Sequence, residues 1–281
     1  MTTTRRVLIT GCSSGFGRLL VPAFLARGWE VVATLRRADE RAGLFEAERA
    51  QHGARLVLAS LDVTDADARA RVVEDARGRP LHALVNNAGY GQLGALEDLC
   101  DDDLRRQLDT NVLGAAALTR GLLPALRDGR GALVFVSSIM GRAGYPLSSA
   151  YCASKFALEG LGEALFHELR PHGVRVHLVE PGAHRTGFGE GARWGEGAVP
   201  AYAGQTRGFQ AFLARLRAGP GNPPDPVVRA IVRVCERPSR RLRLPIGRDA
   251  RFTRLLGALP DRLRLWVFAR VFARALRDPG A

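Results

Sequence analysis

Lysine is almost absent from this chain of 281 residues: Lys and Arg together number 41, and Lys155 is the single lysine among them. Cysteine is scarce too. Cys12, Cys100, Cys152 and Cys235 stand at spacings that suit neither a metal site nor a disulfide framework. They read as reduced thiols of a cytoplasmic protein, with Cys152 a small packing residue beside Tyr151. His172, His177 and His184 also lack ligand spacing, so no metal is expected. No run of about 18 apolar residues occurs, which argues against a membrane-spanning helix. The opening MTTTRRVLITG enters a strand-like run at once, so no signal-peptide core is expected there. Internal repeats and low-complexity linkers are missing as well, and residues 1–281 read as one domain.

Acidic residues are the other shortage. The formal charge is +13, and between Val227 and Ala281 there are 14 Arg against four acids. Such a surface suits an anionic membrane, nucleic acid or an acidic ligand, or is simply a solvated arginine-rich face.

What is present is an alternation of two patterns. RVLIT (6–10), VVATL (31–35), RLVLAS (55–60), HALVN (82–86), ALVFVS (132–137), VRVHLVE (174–180) and LRLPI (242–246) predict strands buried on both faces. Stretches 16–27, 66–77, 101–126 and 151–170 predict helices between them. Sustained strand–helix alternation implies an α/β fold, a doubly wound, mostly parallel sheet of about seven strands. Two regions break the rhythm. Residues 182–225, rich in Gly, Pro and Arg with a short helical piece near 200–217, suggest a substrate lid. Residues 252–281 form a C-terminal helical extension, amphipathic over 261–277. There Arg270, Arg274 and Arg277 share one face, with Trp266, Val267 and Val271 elsewhere on the wheel. Apolar residues cover so much of that wheel that packing beside the lid ranks first, peripheral membrane contact second and nucleic acid last.

TGCSSGFG (10–17) lies between the first strand and the first helix. Gly11 permits a tight turn, Gly15 a close backbone approach to a pyrophosphate, and Gly17 close helix–strand packing. Ser13, Ser14 and Phe16 complete the candidate cradle. Farther on, Lys155 follows Tyr151 by four residues in a helical stretch, so the two share a face. An ammonium cannot be exchanged for a guanidinium where a compact cation must sit beside a phenol.

TG-x-x-x-G-x-G, NNAG at 86–89, a serine thirteen residues before Y-x-x-x-K, and PG-x-x-x-T at 181–186 occur in that order. Together they resemble the short-chain dehydrogenase/reductase family, with GRDA (247–250) extending the likeness to about residue 250. The long segment after the last strand resembles the 17β-hydroxysteroid and retinol dehydrogenase branch.

The resemblance implies an oxidoreductase transferring hydride between a nicotinamide and an alcohol or ketone, and the long lid and apolar tail point to a lipophilic substrate. Ser138 (with Ser137 the competing assignment), Tyr151, Lys155 and Asn111 are the implied catalytic set. Tyr151 would be the proton donor or acceptor, its pKa lowered from about 10 by the ammonium and the cofactor's charge. Asn111 would hold a relay water. Asp62 and Val63 would flank the adenine, Asn87, Ala88 and Gly89 would pack against the cofactor, and Pro181, Gly182 and Thr186 would lie beside the carboxamide. The tip of the second strand carries Leu35 rather than an acid, and Arg36 follows, which favours NADP with NAD the alternative. Helices 101–126 and 151–170 match those through which family members form homodimers. A 3-oxoacyl reductase and a non-catalytic cofactor-sensing regulator are the rival functions. An extended sugar epimerase would show a different glycine spacing and a larger C-terminal domain.

Overall fold

Val- and Leu-rich runs bury both faces of a strand, so the sheet they form must be covered on both sides. The computed structural model describes residues 4–189, 191–219 and 221–277. Glu190 and Pro220 of the expected lid, residues 278–281 of the tail, and the side chains of Arg217 and Arg274 lie outside the described residues.

The first half contains β1 (Arg6–Ile9), α1 (Gly15–Leu25), β2 (Glu30–Leu35), α2 (Glu46–His52), β3 (Leu56–Ser60) and α3 (Ala66–Asp75). Then come β4 (Ala83–Asn86), the two-residue β5 (Gln92–Leu93), α4 (Asp101–Leu108) and α5 (Gly114–Asp128). The second half has β6 (Ala132–Val136), α6 (Ser149–Leu169), β7 (Arg175–Pro181), the short β8 (Arg193–Trp194) and α7 (Ala203–Ala218). It closes with α8 (Asp225–Glu236), β9 (Arg243–Ile246), α9 (Arg248–Leu256) and α10 (Asp261–Ala275).

Seven strands pair in the order β3-β2-β1-β4-β6-β7-β9, every neighbouring pair parallel. The winding direction reverses between β1 and β4, which opens a crevice at their carboxyl ends. Alternation along β1 divides the core. Val7 and Ile9 join Phe24, Trp29 and Ile231 on the α1/α8 side, whereas Leu8 joins Leu118, Leu122 and Leu178 on the α5/α6 side. Each buried side chain of this size contributes roughly 1.5–3 kcal/mol. The seven expected strands and the doubly wound fold are therefore present.

Three expectations need correcting. The helix expected over 101–126 is interrupted by a π-turn, Asp109–Leu113, between α4 and α5. The region 182–225 contains the helix expected near 200–217, as α7, but it is not otherwise all loop: β8 pairs parallel with β5 through Gln92↔Arg193. The tail is buried on one side only. Phe268 and Ala275 of α10 are buried, while Leu263, Trp266 and Val271 are exposed, with Arg270 stacked 4.2 Å from the Trp266 ring. On the buried side the Tyr145 ring meets Phe272 at 4.9 Å and Phe268 at 6.2 Å, and Leu276 joins Phe209 of α7, Leu147 and Trp194. Among the described residues no helix is long and apolar enough to cross a membrane.

Candidate active site

The glycine-rich turn is held from behind by the strand next to it. Asn87 Nδ2 donates to the Thr10 carbonyl at 2.8 Å and to that of Gly11 at 3.2 Å. Thr10 Oγ1 accepts the backbone N–H groups of Asn87 and Ala88, both at 2.9 Å. A Cβ on Gly17 would stand 2.6 Å from Asn87 Nδ2, so no larger residue fits there. Gly15 has φ +57° and faces Thr186, whose carbonyl oxygen would lie 3.3 Å from a Cβ at 15. Ser14 is extended and makes no cap bond, and the first turn of α1 carries no acid. The result is an uncapped helix N-terminus under a loop, a cradle that suits an anion. Half-buried Ser13 lines the turn, and the Phe16 ring meets His184 edge-on at 5.7 Å.

Farther along the sheet edge, Leu35 is buried while Arg36 and Arg37 are exposed. Arg37 is spent on Glu40 at 3.2 Å, whereas Arg36 pairs with no acid among the described residues. Asp62 Oδ1 accepts both the N–H (2.9 Å) and the hydroxyl (2.7 Å) of Thr64, which makes it a turn-former as well. Val63 is buried beside it.

Tyr151 and Lys155 occupy one face of α6, and both are buried. Ser138 follows β6, takes the Met140 N–H at 3.1 Å and faces the Tyr151 phenol, which it acidifies. Ser137 is buried without a hydrogen-bond partner, which leaves Ser138 as the serine facing the tyrosine. Lys155 Nζ donates to the Val136 carbonyl at 2.9 Å and lies 5.6 Å from the Tyr151 ring centroid. Burial lowers Lys155 to about 8, against the opposing pull of Glu159. The phenol departs from expectation, because burial raises Tyr151 and the Ser138 hydrogen bond offsets this only in part. The ammonium is aimed at a carbonyl rather than at the phenol, so desolvation prevails in the protein alone.

Asn111 sits in the π-turn, a distortion common at functional sites. Its Nδ2 donates to the Tyr90 carbonyl and to Ser154 Oγ, both at 3.0 Å, and its Oδ1 accepts the Tyr90 N–H at 3.1 Å. Ser154 Oγ in turn donates to the Tyr151 carbonyl at 2.7 Å. Gly89 allows this approach, since a Cβ there would lie 2.9 Å from Asn111 Oδ1. Pro181 ends β7, and the Gly182 N–H pairs with the Ile246 carbonyl at 3.0 Å. Tyr90, Ser154, Asp249 (which takes the Ala183 N–H at 2.6 Å) and Phe188 (5.6 Å from the Tyr151 ring) escaped the sequence reading. Only GRDA hinted at one of them.

Ser138, Tyr151, Lys155 and Asn111 thus converge at the carboxyl edge near the switch point, with the cradle beside them and Arg36 at its periphery. The family described as short chain dehydrogenase matches residues 5–196.

The chain belongs to the short-chain dehydrogenase family.

It is an oxidoreductase of that family. A solved short-chain dehydrogenase from Streptomyces avermitilis has 36% identity and a TM-score of 0.81, covering 98% of each chain. Another, from Burkholderia cenocepacia J2315 in complex with NADP, has 25% identity and a TM-score of 0.72, covering 94% of this chain and 96% of that one. Human 17-beta-hydroxysteroid dehydrogenase type 1 is 43% identical over 194 residues, 66% of this chain and 58% of that protein.

Proposed function

We propose that this short-chain dehydrogenase is NADP(H)-preferring and interconverts an alcohol with a ketone or aldehyde on a lipophilic substrate. The observation that carries the proposal is the joining of Ser138, Tyr151 and Lys155 beside an uncapped helix N-terminus. The bound nicotinamide supplies or accepts the hydride. Tyr151 gives a proton to the substrate oxygen in reduction and takes it back in oxidation. Ser138 positions that oxygen, Lys155 holds positive charge near the phenol, and Asn111 orders the relay behind it.

Gly11, Ser13, Ser14, Gly15, Phe16 and Gly17 would hold the pyrophosphate, and Arg36 a ribose 2′-phosphate. Asp62 and Val63 would border the adenine. Asn87, Ala88 and Gly89 would brace the cofactor, and Pro181, Gly182 and Thr186 its carboxamide end. The NADP held by the Burkholderia relative supports the cofactor assignment. Phe188 against Tyr151, and the Phe209, Phe212 and Trp194 cluster of the lid, support a lipophilic substrate.

A cytoplasmic homodimer through α4, α5 and α6 belongs to the proposal. Exposed Phe156, Leu108 and Leu113 on that side support it. Exposed Trp266 among arginines leaves peripheral membrane contact as a secondary role for the tail.

A panel of ketones and alcohols, assayed with NADPH, NADH and their oxidised forms, tests the function. Reduction of bulky apolar ketones with NADPH, lost in Tyr151→Phe, is expected. Tight NADPH binding without turnover on any substrate would favour the cofactor-sensing regulator instead.

A further inference from the structure

One helical turn beyond Lys155, on the same face of α6, lies a second carboxyl-and-cation cluster that the reaction as described does not use. Glu159 is 4% exposed and Glu180, reaching over from β7, is 3% exposed. Glu159 Oε2 accepts Arg243 Nε at 2.8 Å, while Glu159 Oε1 is buried with no donor. Glu180 Oε1 is equally without a donor: Arg243 Nε stands 3.7 Å away and Arg142 Nε 3.9 Å away. One atom, Arg243 Nε, stands against both carboxyl groups, which brings them together, and each feels the other directly.

Two buried carboxylates side by side are unfavourable, and each here leaves one oxygen unsatisfied. A single proton between them satisfies both oxygens and removes one charge. We propose that Glu159 and Glu180 share one proton, and that this carboxyl pair is a positioning element for Lys155. The proposal rests on the role assigned above to Lys155.

The charges around the pair agree with it. Facing it are Lys155 and Glu163 on α6, Arg243 from β9, and Arg142 from the segment after β6. Arg243 is divided among Glu159, the more exposed Glu163 and, at 3.7 Å, Glu180, so one cation faces three carboxyl groups. Burial, reinforced by the neighbouring charge of Glu159, pushes the Glu180 carboxyl well above the usual carboxylate range, against the pull of Arg142 and Arg243. With one proton shared, the pair carries one net negative charge. That charge lies a turn from an ammonium whose hydrogen bond goes to a neutral carbonyl, Val136. It favours the charged form of Lys155 without drawing Nζ away from the reacting end.

The test has two readouts. In cofactor-free protein labelled with [δ-¹³C]glutamate, one glutamate carbon should titrate above about pH 6, well clear of the ordinary value near 4.3. That signal should vanish in Glu180→Gln and move to lower pH in Glu159→Gln, where burial still acts on Glu180 but the neighbouring charge is gone. If every glutamate carbon in the wild type titrates in the ordinary range, no proton is shared and the proposal falls.

The second readout is the pH profile of kcat/KM for ketone reduction. Glu159→Gln should move its basic limb down by about one pH unit, lowering kcat more than it alters KM. Glu180→Gln should move the limb in the same direction and by less, since Glu159 is the carboxyl that acts directly on Lys155. A Glu159→Gln profile that superimposes on the wild type would show the pair to be structural only. If the wild-type enzyme reduces no ketone, the proposed function fails separately, and the carbon titration still decides whether the proton is shared.

Discussion

Lys155 Nζ and the Val136 carbonyl oxygen are 2.9 Å apart, so the ammonium of α6 is anchored to the last residue of β6. The site admits one compact donor at that distance, and Ser138 follows only two residues after the anchor. A guanidinium brings a planar fork and a longer stem. Lys155→Arg is expected to fold normally and to lose about 10²–10⁴-fold in kcat, the usual cost of disturbing a positioned proton-transfer group. Steady-state kinetics of the purified variant, with near-normal turnover as the contrary result, decide the point.

The same lysine should weigh on stability. Its proton is released near pH 8 in the folded protein, against 10.5 as the ordinary value. Between those values the unfolded chain binds more protons, so stability rises with pH across that window. Lys155→Met should therefore be inactive yet more stable at neutral pH, by on the order of 3 kcal/mol. The difference should shrink as pH approaches 10.5. Denaturant melts at a series of pH values measure it, and a variant less stable at pH 7 would contradict it.

On the proposed function, cofactor preference turns on Arg36. An acid at Leu35 would be buried and would cost stability before it met a ribose, so the informative change is at the exposed neighbour. Arg36→Glu should lower the NADPH-to-NADH preference by about 10- to 100-fold, the worth of a charge-assisted bond to phosphate. Titration of both cofactors, free of turnover, provides the measurement. Unchanged preference would remove Arg36 from the site.

Asn111 ties two parts of the site together through Tyr90 and Ser154. Asn111→Ala leaves the Tyr90 N–H without its acceptor and the buried Ser154 Oγ without its donor. A loss of about 2–4 kcal/mol is expected, with kcat falling as α6 loses its tether. Thermal melts and kinetics on one preparation test both effects, and a variant as stable as wild type would refute the tether.

The tail should matter for the substrate more than for the cofactor. Phe268 is buried against Tyr145, and Tyr145 lies six residues before Tyr151. Phe268→Ala should release α10 at a cost of about 3–5 kcal/mol. Deleting 258–281 should raise KM for bulky lipophilic ketones while NADPH affinity holds. Unchanged kinetics together with lost vesicle binding would instead assign the tail to a membrane.

The sequence by itself determined what is local or periodic. Continuous Val/Leu runs specify strands buried on both faces, glycine spacing marks the turn before α1, and the four-residue step from Tyr151 to Lys155 places both on one helical face. The tertiary structure alone decided what depends on residues far apart in the chain. It brought Tyr90 and Ser154 to the Asn111 amide, and it set the Phe188 ring against Tyr151. It set Glu180 beside Glu159, 21 positions away and on a different element, where neither periodicity nor motif links them. It also reversed the expected direction for the Tyr151 phenol, because a pKa follows burial and the aim of neighbouring charges. Those are properties of a packed interior, and a linear pattern of residues carries no record of them.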